Sequence, residues 1–80
     1  NLGYVTENSG VVSIANNEWF VHGLASGLTP TIVILTPTTS QKILSAINKN
    51  STHVQVGFWW YNGTAVTTPE NIYYYVEWNP

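Results

Sequence analysis

The sequence predicts an all-β fold, a small antiparallel β-sandwich of jelly-roll-like character with about six to eight short strands. Two observations lead there. Apolar and polar residues alternate with a period of two in several runs rich in β-branched and aromatic residues, and clusters of Pro, Gly, Asn, Ser and Thr punctuate those runs. No segment carries a convincing long-helix pattern.

Taken in order, "GVVSIA" and "EWFVHG" read as the first strands. "TPTIVILTP" is β-branched, bounded by Pro30 and Pro37 and apolar on both faces, so it is expected to be a central strand. The stretch from Gln41 to Asn48 reads as a strand that turns at "NKNST" into the next. Its Ile43, Leu44, Ala46 and Ile47 could instead line a two-turn helix, although so short a helix is marginal. "THVQVGFWWYNG" places Val54, Val56, Phe58 and Trp60 on one face and His53, Gln55, Gly57, Trp59 and Tyr61 on the other. "NIYYYVEWNP" sets Ile72, Tyr74, Val76 and Trp78 against Tyr73, Tyr75 and Glu77.

Composition narrows the function. Eighty residues make one domain, 1–80, and a chain that starts at Asn1 without any methionine is expected to be excised from a longer protein. So small a core, with no cysteine to staple it, is expected to lean on a neighbouring domain or identical subunits. Lys42 and Lys49 are set against Glu7, Glu18, Glu70 and Glu77, which leaves no basic field for nucleic acid. No apolar run approaches the ~20 residues of a membrane-spanning helix, and no membrane insertion is expected.

The densest cluster of turn residues, "HGLASGLTP", lies between two strand-like runs. His22 is the obvious residue for chemistry there. A metal site would need further donors, and the chain offers only His53 and four glutamates at no ligand-like spacing. No serine sits in a nucleophile elbow. Gly23 and Gly27 lead into a strand, whereas a phosphate cradle needs a helix N-terminus. A strand-to-strand crossover is the expectation, with no catalytic, cofactor-binding or metal residues and no cofactor.

"WFVHGLASGLTPTIVILTP", followed by "VGFWWYNG" and "IYYYVEW", resembles a β-sandwich module of virion appendages such as tail fibres, spikes and turrets, over residues 18 to 78. It is most similar to those of viruses of thermoacidophilic archaea. The resemblance implies a non-enzymatic structural or host-recognition domain on the extracellular surface of a virion. Its partners would be copies of itself, neighbouring virion proteins and a host surface glycan or protein.

Eleven aromatic residues crowd the chain, more than its core can take. Trp59, Tyr61, Tyr73 and Tyr75 fall on the outward sides of their strands, and would lie side by side if those strands paired. Such a platform suits an interface or a sugar ligand. Asn50 in "NST" and Asn62 in "NGT" are candidate N-glycosylation acceptors in expected turns. The alternative to a virion appendage is a carbohydrate-binding module of an extracellular protein. A hydrolase using Glu70 and Glu77 as paired carboxylates is a third reading.

Overall fold

The computed structural model describes residues 5–80, which form six strands. They are β1 (Glu7–Ile14), β2 (Trp19–Val21), β3 (Ile32–Pro37), β4 (Lys42–Lys49), β5 (His53–Trp60) and β6 (Glu70–Glu77). Two three-stranded antiparallel sheets result, one in the order β1-β6-β3 and the other β2-β5-β4. The fold is a small β-sandwich. Only β4 and β5 are joined as a hairpin; every other connection passes from one sheet to the other.

The alternation in β5 and β6 sets the core. Val54, Val56 and Phe58 face Ile72 and Val76, and Ile14, Phe20 and Val66 close the cluster. Tyr74 is half-buried and packs on Phe20 with ring centroids 4.7 Å apart. Gly10 lies directly across from Tyr74 in the β1–β6 ladder, where a Cβ would come within 3.2 Å of the phenol oxygen. The missing side chain on β1 thus makes room for the ring. β2 is only three residues long, but the edge of β5 beyond it is not left bare: the Asn16 side chain accepts the Phe58 N–H at 2.8 Å, and Val66 N–H donates to the Phe58 carbonyl at 2.9 Å.

The segment "HGLASGLTP" is the crossover from β2 to β3, that is, from one sheet to the other. Gly23 turns the chain there with φ +77°, and a Cβ on it would come within 2.5 Å of the Asn8 side-chain nitrogen. Glycine meets both requirements at once.

Three expectations need correction. The run "IVILTP" is not central: β3 is the edge of its sheet and β6 lies in the middle. Its second apolar face, Ile32 and Ile34, is exposed, and an edge position tolerates Pro37, which has no N–H to give a further strand. Trp60 is not in the core either, because the sandwich ends at Phe58 and Val66 and leaves it at the rim with 39% of its surface exposed. Finally, Trp59 and Tyr61 do not stand beside Tyr73 and Tyr75. β5 and β6 belong to opposite sheets, so the aromatic platform is split between two faces of the molecule.

A candidate aromatic cleft beside an inter-sheet ion pair

β4 begins where the connection from β3 passes from one sheet to the other, and its first residue turns a lysine inward. The Lys42 side chain is 3% exposed. Its ammonium reaches across the sandwich to Glu70, the first residue of β6, at 2.5 Å from Oε1 and 2.6 Å from Oε2, and donates to Thr39 Oγ1 at 2.8 Å. The Thr39 hydroxyl donates in turn to Glu70 Oε1 at 3.0 Å. A buried ammonium needs such compensation. The same nitrogen lies 4.1 Å from the centre of the Trp60 ring, a cation–π contact that braces the indole from one side. The hydrogen bond from Lys42 holds the Glu70 carboxyl below its ordinary range, helped by Thr39, while burial pulls the other way.

Next to this clamp lies a cleft of about 320 Å³ lined by Gln41, Trp60, Tyr61 and Asn62. Its backbone is held on each side. Trp60 N–H donates to Thr64 O at 2.8 Å, Gly63 N–H to Trp60 O at 2.9 Å, and Tyr61 N–H to Gln41 O at 3.0 Å. Asn62 Oδ1 accepts from Thr64 N–H at 2.9 Å. Gln41 has φ +69°, a left-handed backbone unusual for a residue with a side chain. Tyr61 is 69% exposed.

Of the site residues expected from the sequence, only Tyr61 and Asn62 belong to this cleft. Trp59 is half-buried on the outer face of its sheet, its ring folded over Gly57, where a Cβ would fall 2.2 Å from the ring. Tyr73 is exposed on the other sheet. Tyr75, beside it, shares its single hydroxyl hydrogen between the carboxylates of Glu77 and, at 3.1 Å, Glu7, residues directly opposite each other in the β1–β6 ladder. The bond to Glu77 pushes the Tyr75 phenol well above its ordinary range and holds Glu77 low. Asn50 sits in the β4–β5 turn, where its Oδ1 accepts from Thr52 N–H and His53 N–H. Trp60 and Gln41 were missed as site residues. The Asn-Gly turn directly after "WWY" signals that the strand ends there, and alternation guarantees burial only within the span of the core.

His22 is buried, and its ring is engaged at both nitrogens: Leu24 N–H donates to Nδ1 at 3.1 Å, so Nε2 carries the hydrogen that reaches Asn50 O at 3.0 Å. It ties the crossover to the β4–β5 turn. Among the described residues no three His, Cys, Asp or Glu side chains gather as metal ligands. Glu70 and Glu77 occupy opposite ends of β6, about 24 Å apart at ~3.4 Å per residue, far beyond the spacing of a glycosidase pair.

The chain has no significant match to any protein-family model, curated protein or solved structure.

Proposed function

We propose that this domain is a non-enzymatic structural unit of a virion surface appendage, a turret, spike or fibre, that assembles with copies of itself and with neighbouring virion proteins. The observation that carries the reading is that both outer faces of the sandwich expose large apolar side chains. Val11, Ile34 and Tyr73 lie on one face, with Val11 and Tyr73 directly opposed in the ladder. Trp19, Val21 and Ile43 lie on the other. A free monomer seldom shows such patches on two sides, whereas a building block set between neighbours uses both. The resemblance of residues 18 to 78 to appendage modules supplies the virion context.

Sedimentation velocity of the 80-residue chain, extended to high protein concentration, tests the assembly. A trimer or pentamer is expected, and a monomer throughout overturns it. Immunogold labelling with an antibody against the domain tests the location: gold on the surface of virus particles is the expected result, and unlabelled particles refute a place in the appendage.

A further inference from the structure

We infer that the cleft formed by Gln41, Trp60, Tyr61 and Asn62 binds a neutral carbohydrate. This goes beyond the assembly reading and does not depend on it.

The lining specifies the ligand class. Trp60 and Tyr61 supply aromatic surface against which the C–H face of a pyranose packs, while the Gln41 amide carries both a donor and an acceptor for hydroxyl groups and the Asn62 amide a donor. No formal charge lines the cleft. The nearest cation, Lys42, is already neutralised by Glu70 and lies against the Trp60 ring. A phosphate, sulfate or carboxylate would find no counter-charge. A neutral polyol needs none. The volume, about 320 Å³, lies at the lower end for small-molecule sites and suits one or two sugar rings.

The cleft is also organised in advance. The Trp60 ring is braced by Lys42, and the backbone of residues 60–64 is held by bonds from Trp60 N–H to the Thr64 carbonyl, Tyr61 N–H to the Gln41 carbonyl and Gly63 N–H to the Trp60 carbonyl. The bond that Asn62 Oδ1 accepts from Thr64 N–H at 2.9 Å orients the side-chain amide, with its NH₂ as the remaining donor. A site of this kind loses little freedom on binding. Gln41 adds a second indication. Its left-handed backbone would suit glycine better, yet a glutamine stands there and lines the cleft.

The test uses the 80-residue chain made in a host that does not N-glycosylate, so that Asn62 is unmodified. It is applied to an array of neutral gluco-, galacto-, manno- and N-acetylglucosamine oligosaccharides with sialylated and sulfated glycans alongside, and any glycan captured is titrated by tryptophan fluorescence. Capture of a neutral oligosaccharide is expected. Tyr61→Ala should weaken binding about tenfold without loss of fold. Gln41→Gly should weaken binding to a similar degree while the melting temperature holds or rises, since glycine adopts positive φ freely. Trp19→Ala, on the outer face of the β2-β5-β4 sheet, should leave binding unchanged even if it alters oligomer size, which separates this inference from the assembly reading. Capture of no neutral glycan, capture of anionic glycans alone, or binding that survives both Tyr61→Ala and Gln41→Gly overturns it.

Discussion

The Lys42 ammonium at the start of β4 lies 2.5 Å from the Glu70 carboxylate at the start of β6, so one ion pair joins the two sheets at the end of the sandwich where the cleft opens. The partners are unequally placed, Lys42 being 3% and Glu70 27% exposed. Glu70→Gln leaves a buried cation without its counter-charge and is expected to cost about 3 kcal/mol. Lys42→Met leaves a carboxylate that water can reach, and should cost less. Urea denaturation of both variants checks the order, and an equal or reversed cost contradicts the asymmetry.

Acid should act through the same carboxylate. Glu70 is held low chiefly by the hydrogen bond from Lys42, so its contribution is fully present above the unfolded value near 4.3 and is lost as the pH falls through the lower folded value. Glu77, held low chiefly by the Tyr75 hydroxyl, has the same sign. The melting temperature should therefore stay level from about pH 7 to 5 and decline below about pH 4. With only four carboxylates in the chain, little repulsion builds up, and the fold should persist to about pH 3. Glu70→Gln should flatten the decline, and an unchanged slope would show that another group governs it.

At the alkaline end Tyr75 should titrate late. Its phenol is raised first by the bond to Glu77, then by burial and by Glu7. A group whose folded pKa is raised stabilises below its unfolded value, here near 10, and that contribution is lost as the pH climbs toward the folded one. Absorbance at 295 nm should contain a component delayed beyond the ordinary tyrosine range, and Tyr75→Phe should abolish it. Persistence of that component in the variant would assign it elsewhere.

His22→Phe should preserve apolar volume but strand Leu24 N–H and Asn50 O, which the imidazole now satisfies. Two such losses are expected to cost about 2 to 4 kcal/mol. Amide exchange should quicken first at Leu24, within the crossover. A fully stable His22→Phe protein would mean that water replaces both bonds.

Phe58→Ala opens a cavity among Val54, Val56 and Ile72 and should cost roughly 3 to 5 kcal/mol, enough to unfold so small a domain. Tyr73→Ala, on the exposed face of β6, should leave the melting temperature nearly unchanged and weaken self-association instead. Calorimetry and sedimentation of the two variants read these effects separately, and equal destabilisation would refute the division between core and outer face.

Much of the architecture is written locally. The period of two in residues 53–58 and 72–76 determines which side chains face the core, because a strand has only two faces and one of them must leave water. The lack of helical periodicity, the turn residues between runs and the crossover at "HGLASGLTP" are local in the same sense. Partnership between strands is not. The aromatic residues of β5 and β6 share a pattern, but long-range pairing placed those strands in opposite sheets and separated Trp59 and Tyr61 from Tyr73 and Tyr75. Likewise, Trp60 obeys the alternation that buries Phe58, but it lies at the rim because only the opposing sheet determines where the core stops. Lys42 is one of two lysines in an otherwise ordinary strand. Its burial follows from Glu70, 28 residues away, being carried across the sandwich to meet it, and no local pattern encodes a charge pair made between two sheets.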